Sequence, residues 1–233
     1  MFKQHIKALL NVLFPAVCFT CGKKIDQSVL CPACRDKIKP LAPPLCKGCA
    51  KEKTAKGTLC KDCRAKTIYH DRLISCFSYE EPIKTLVHLL KYQHHDYLID
   101  FLSSLMVTYL LSIGFKDEGA DFITAVPSHP VRLKEREYNQ SLLLAENLSG
   151  ALGIPLKSGI IFCKQNRPHQ TKLTKTFRIK NVEDNFYVKD GMEGKNIILI
   201  DDIITTGSTV SQCAKALKEK EAGYITVLTL AKT

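Results

Sequence analysis

Two groups of residues have types and spacings that could do chemistry. The first is eight cysteines set as four C-x2-C pairs: Cys18/Cys21, Cys31/Cys34, Cys46/Cys49 and Cys60/Cys63. Two intervening residues let both thiolates of a pair converge on one tetrahedral ion, and Gly22 and Gly48 lie where the tight turns would fall. The second is "ILIDDIITTGSTV", residues 198 to 210. Here an apolar run meets Asp201 and Asp202, then Thr205, Thr206, Gly207, Ser208 and Thr209. Such a turn into a helix suits a phosphate, because free backbone N–H groups, the helix dipole and hydroxyl donors act at one place. Two carboxylates beside an anion site make sense if they accept hydrogen bonds from vicinal hydroxyls of the same ligand. A ribose 5-phosphate unit has that pairing. The competing reading is an ordinary strand exit with a polar loop. A Walker-type nucleotide site would need G-x-x-x-x-G-K followed by Ser or Thr, and neither this nor G-x-G-x-x-G is present.

The cysteine pairs are separated by 9, 11 and 10 residues, enough for a short hairpin to return each time. Two structural zinc sites with four thiolates each are expected, paired in sequence (first with second, third with fourth) rather than interleaved. With no open coordination position, such sites supply folding energy to a segment too small to fold alone. A disulfide framework would need an oxidising compartment. Cys76, Cys163 and Cys213 stand apart. Cys213 shares a helical face with Val210, Ala214 and Leu217, so a small buried hydrophobe is expected there.

Charge is unevenly spread over the 233 residues. Of a net +11, residues 1–70 hold 14 Lys/Arg against 4 Asp/Glu, and the remainder is nearly balanced. Two four-thiolate zinc sites, each of charge −2, would take that local excess from +10 to +6. A basic module of this kind attracts single-stranded DNA by counterion release, or merely solubilises. Its aromatics, Phe2, Phe14, Phe19 and Tyr69, offer few stacking platforms. No apolar run approaches the ~20 residues of a membrane span. The opening residues 1–15 read as a short amphipathic helix rather than an export signal, and a cytoplasmic location is expected.

These groups need elements to position them. After a stiff connector with Pro40, Pro43 and Pro44, a boundary is expected near residue 67, dividing a ribbon module (16–66) from an α/β domain (67–233). "LISCFSYEE" reads as a strand and "PIKTLVHLLKYQ" as a helix with Pro82 in its first turn. Residues 96–113 repeat the helical pattern. "DFITAVPSHP" reads as a strand ending at Pro127, and "YNQSLLLAENLSGALG" as a helix closed by glycine. "SGIIFC" and "NIILIDD" are strands, 208–221 a helix closed by Gly223, and "YITVLTLA" the last strand. The alternation predicts a mostly parallel sheet. Residues 164–185, "KQNRPHQTKLTKTFRIKNVEDN", form a polar segment between two strands, read as a functional hood or a disordered loop.

The segment 198–210 resembles the 13-residue phosphoribosyl-pyrophosphate (PRPP) motif of type I phosphoribosyltransferases. With four cysteine pairs ahead of it, and with "VLFPAVCFTCGK", "LLKYQHHDYL", "VPSHPVRLKEREYNQS" and "QTKLTKTFRIKNV", the chain resembles the ComF (competence protein F) family over nearly all its length. That resemblance implies a double zinc ribbon ahead of a phosphoribosyltransferase-like sheet with helices on both faces. It implies that Asp201 and Asp202 hold ribose hydroxyls and Thr205 through Thr209 the 5-phosphate. Pro127, Ser128, His129 and Arg132 would form the pyrophosphate loop, with Lys91 and Arg178 as further contacts, and Mg²⁺ would accompany the pyrophosphate. The family shows Arg-Gly-Phe-Asn-Gln where this chain has "REYNQ". Glu137 in place of that glycine suggests that no left-handed backbone is needed there.

The resemblance further implies a PRPP-binding protein linked to natural competence, DNA uptake and single-stranded DNA handling, with a possible protein partner in the uptake machinery. A salvage-type nucleobase transferase with a zinc clasp, and a non-catalytic PRPP-sensing module, are the alternatives. No acceptor and no general base can be read from the residues.

Overall fold

The computed structural model describes residues 16–26, 28–52, 59–92, 97–164 and 185–233. The expected N-terminal helix at 1–15, most of the hood and Arg178 lie outside the described residues.

Four strands form one parallel sheet in the order β1-β6-β5-β2, where β1 is Arg72–Ser78, β2 Phe122–Ala125, β5 Ile197–Ile204 and β6 Ile225–Lys232. Strand side chains alternate between faces, so each face takes its own core. On one face Ile74, Cys76, Ile123, Ile198, Ile200, Leu228 and Leu230 meet three helices: α3 (Ile83–Tyr92), α4 (Leu98–Ser112) and α6 (Gln140–Leu152). On the other, Leu73, Phe122, Ile197, Leu199, Ile225 and Val227 meet α7 (Ser208–Lys218) and a hairpin of β3 (Ile161–Cys163) with β4 (Phe186–Val188). The parallel sheet with helices on both faces is therefore present. The segment read as a strand at "SGIIFC" joins an antiparallel two-stranded unit instead of the main sheet. Its partner Phe186–Val188 has too short an apolar run to be read from periodicity.

The cysteine pairs cluster in sequence, Cys18/Cys21 with Cys31/Cys34 and Cys46/Cys49 with Cys60/Cys63, all ligand atoms of each set lying within 4.8 Å of one another. Each second pair opens a single helical turn, α1 (Pro32–Arg35) and α2 (Lys61–Arg64). The two ribbons straddle the β1 edge of the sheet. Leu30, Cys31 and Cys34 enter the first core, whereas Ala50 enters the second. Between them the proline connector runs along the edge strand: the Ser78 amide donates to the Lys39 carbonyl (3.0 Å) and the Leu41 amide to the Cys76 carbonyl (2.9 Å). The Tyr109 hydroxyl clamps it by donating to the Leu41 carbonyl at 2.8 Å. An open sheet edge is thereby covered.

Two turns differ from expectation. The helix at 208–221 stops at Lys218; Glu221 adopts the left-handed conformation, and Gly223 is required for space, since a side chain there would meet the Gly194 carbonyl oxygen at 2.7 Å. Glu137, the C-cap of α5 (Pro130–Arg136), has φ 65 and ψ −13. The left-handed backbone is therefore retained despite the loss of glycine. Replacing Glu137 by glycine removes a conformational cost of about 1 kcal/mol. Glu137→Gly is expected to raise the thermal midpoint by a few degrees, and an unchanged or lower midpoint in a melting scan would count against this.

Candidate functional site

Strand β5 outlasts β2. Their pairing ends at Ala125 opposite Ile200, while β5 and β6 stay paired as far as Ile204 opposite Lys232. Asp201 and Asp202 thus sit inside β5 rather than at its exit, at the step where its other neighbour has stopped. The notch left beyond the carboxyl end of β2 is where open parallel sheets leave room for a ligand. Extended pairing with β6 makes the difference from the expected strand end.

The acids are held by different partners. Asp202 shares the face of Ile198 and Ile200, where α3 brings Lys91 to 2.6 Å from its carboxylate. Asp201 accepts from the Ser141 hydroxyl and from the Asp202 amide, both at 2.9 Å, and Asp202 accepts from the Ile203 amide at 2.7 Å. Burial, then the neighbouring Asp202 charge, push the Asp201 carboxyl up to about 7, while Ser141, the Asp202 amide and Lys91 pull it the other way. A raised folded pKa means that the folded chain binds a proton that the unfolded chain has released. Stability from this group is present below about pH 4, is lost as pH rises toward 7, and is flat above. Asp201→Asn keeps an oxygen for Ser141 and removes the charge. It is expected to melt several degrees above the parent at pH 8 and to match it below about pH 4, as pH-dependent melting would read.

The hydroxyl turn follows directly. Thr205, Thr206, Ser208 and Thr209 are exposed and Gly207 is buried, with φ 78 at the N-cap of α7. The N-cap glycine has no side chain to offer this helix start, and the Thr206 hydroxyl accepts from the Ser208 amide at 3.4 Å. The Lys232 ammonium fixes the turn's beginning by donating to the Thr205 carbonyl at 2.8 Å. Across the notch, Val126, Pro127, Ser128 and His129 lead from β2 into α5. The Asn139 side chain holds this loop by donating to the Val126 carbonyl (3.0 Å), and His129 Nδ1 accepts from the Val131 amide (3.3 Å).

A single cleft of 1260 Å³ joins these parts. Pro127, Ser128, His129, Lys91, Asp201, Asp202, Thr205, Ser208 and Thr209 all line it. Thr206 and Gly207 belong to the turn but do not line the cleft. Arg132 falls within α5, and its side chain is outside what the structure describes. The hood's described ends, Lys164 and Asn185, pair through the Lys164 amide (2.7 Å) and also line the cleft.

Among the cleft residues that the sequence reading did not assign to the site are Ser141, Gln140 and Arg136. Gln140 is buried, its carbonyl oxygen takes a 3.3 Å hydrogen bond from Arg136, and its amide nitrogen has no partner among the described residues. The available signal was "REYNQS" itself, whose turn brings Asn139, Gln140 and Ser141 to the start of α6.

The four-cysteine clusters fit a tetrahedral thiophilic ion. Four sulfurs at about 2.3 Å from zinc stand about 3.8 Å from one another, and the Cys21–Cys31 and Cys49–Cys60 sulfurs are each 3.7 Å apart. By contrast Cys76 and Cys213 are fully buried, and burial holds both thiols well above the ordinary range. They are inert packing residues, as expected for Cys213.

Residues 9–70 match the family model described as a double zinc ribbon domain. The DNA utilization protein YhgH of Salmonella typhimurium is 28% identical over 94% of this chain and 98% of its own length. Competence protein ComFC of Bacillus subtilis is 29% identical over 93% of this chain and 95% of its own. Among solved structures, a purine phosphoribosyltransferase from Pyrococcus horikoshii Ot3 aligns with 58% of this chain and 73% of its own at 21% identity and a TM-score of 0.35. No described helix is long and apolar enough to cross a membrane. Along nearly its whole length the chain is thus similar to proteins named for competence and DNA utilization, with a double zinc ribbon ahead of a parallel α/β domain.

Proposed function

We propose that the cleft binds PRPP, with Asp201 and Asp202 on the ribose hydroxyls, Thr205–Thr209 on the 5-phosphate, and Pro127–His129 with Arg132 around the pyrophosphate. The observation that carries this is the convergence of paired carboxylates, a hydroxyl turn and the 126–129 loop on one cleft. Lys91 balances the acids until the sugar arrives, and Mg²⁺ would enter with the pyrophosphate oxygens. If transfer occurs, a nucleophile attacks C1 of the ribose as the bond to pyrophosphate breaks. This chain's residues contribute by positioning the sugar and by electrostatics. The acceptor is open, and a salvage-type nucleobase transferase is one form of this reading. A panel of nucleobases assayed for pyrophosphate release against PRPP and Mg²⁺ tests it.

A second form is a PRPP-sensing module in which nothing is transferred. It is favoured by the relatives' names, which describe DNA utilization and competence rather than a reaction. In both forms the role proposed is in DNA uptake, with the basic ribbon module as a single-strand contact or as a docking face for a protein partner, on the cytoplasmic side. Because the ribbons enter the core, the module is tested by charge and not by truncation. Replacing the exposed Lys23, Lys24, Lys37 and Lys66 by glutamine should weaken single-strand binding several-fold and flatten its salt dependence. Unchanged fluorescence anisotropy in the quadruple variant would remove the module from the DNA reading.

A further inference from the structure

The second ribbon touches the hydroxyl turn. Gly207 is buried and left-handed, and any side chain there would press on the Gly48 carbonyl oxygen, 3.2 Å from the position of its Cβ. Gly48 lies in the knuckle between Cys46 and Cys49, and it too has no room. A side chain on it would meet Ile68 at 2.3 Å and the Cys63 sulfur at 3.0 Å. Its φ is not left-handed, so this glycine serves close approach and not the turn, which in the first ribbon is taken by Gly22 with φ 72. The Gly48 backbone is therefore wedged between a metal-site sulfur and the anion turn.

Neighbouring contacts fix it there. The buried His70 lies with Nε2 at 3.1 Å from the Lys47 carbonyl. Ala50, fully buried, belongs to the same core as Ile204, Val210 and Cys213, which flank the turn. The first ribbon's Cys18, Leu30, Cys31 and Cys34 belong instead to the core on the opposite face of the sheet.

We infer that the second four-cysteine site is a positioning element for the 205–209 turn, acting through Gly48, so that metal retention by Cys46, Cys49, Cys60 and Cys63 is coupled to occupation of the turn. The inference rests on the PRPP reading of the cleft. An ion held by four sulfurs fixes the direction of the Gly48 carbonyl, and that carbonyl backs the left-handed residue opening α7. Coupling of binding free energies is reciprocal, so ligand in the turn must in return slow loss of this metal.

The test uses the full zinc-loaded chain, a zinc-selective chelator and an alkylating reagent, with labelling of each cysteine followed by peptide mass spectrometry. Saturating PRPP with Mg²⁺ is expected to slow labelling of Cys46, Cys49, Cys60 and Cys63 about fivefold or more beyond whatever slowing Cys18, Cys21, Cys31 and Cys34 show through the shared fold. Gly207→Ala should keep both metals and lose the protection. Parallel calorimetry separates the failures. Heat of PRPP binding with unchanged labelling, or with equal slowing at both ribbons, overturns the coupling alone. Absence of heat overturns the cleft reading, and the coupling falls with it.

Discussion

Cys46→Ser, or a zinc-selective chelator applied to the full chain, is expected to collapse the α/β body together with the ribbons. Cys46 is fully buried, and its sulfur accepts from the Cys60 amide at 3.2 Å. Ala50, four residues on, belongs to the same core as Val210 and Cys213. On the other face Cys31 and Cys34 share a core with Leu86, Leu90 and Leu102. Structural zinc sites supply roughly 10–16 kcal/mol of apparent binding energy, whereas a domain's whole stability is about 5–15 kcal/mol. Loss of either metal should therefore abolish one cooperative melt for the whole chain instead of freeing a tail. Circular-dichroism melting alongside zinc content reads this directly. If the apo chain keeps a cooperative transition within a few degrees of the holo chain, the ribbons are appendages and the shared cores contribute little.

The double replacement Asp201→Asn/Asp202→Asn should reduce PRPP affinity by at least about a hundredfold. Hydrogen bonds to charged acceptors contribute about 1.5–3 kcal/mol each, and two are lost at once. The amides retain oxygens for the Ser141 hydroxyl and for the Asp202 and Ile203 N–H groups, so the local backbone has no reason to move. The Lys91 ammonium loses its 2.6 Å partner, and Lys91→Gln in the same background restores neutrality if folding suffers. Calorimetry with PRPP and Mg²⁺ decides: equal binding by parent and variant removes these acids from the site.

Local chemistry made some of this legible from residues alone. The C-x2-C spacing identified the four thiolate pairs, because two thiolates with two residues between them can meet one ion whatever surrounds them; which pairs share an ion is decided by the fold. Helical periodicity located α3, α4 and α6, since Leu86, Leu90, Leu98, Leu102, Leu144 and Leu148 repeat at the spacing that one packed face requires. The apolar-acidic-hydroxyl order of residues 198–210 identified both halves of the candidate site for a similar reason: its groups are neighbours in the chain.

What joins distant segments was not readable. That β5 keeps its pairing past the end of β2, placing Asp201 and Asp202 inside a strand, depends on the length of β6, some 20 residues away. Ser141 reaches Asp201, and Gln140 the cleft, at the start of α6, which follows the left-handed Glu137 that ends α5. No local preference announces that turn, since a glutamate can be held there when packing on both sides demands it. The sequence by itself determined the ligand types and their local spacing, because metal and anion chemistry is set by neighbouring side chains. Only the tertiary structure put the second knuckle's Gly48 against Gly207 and drew the proline connector along β1, because contacts between segments far apart in the chain are decided by packing and carry no period in it.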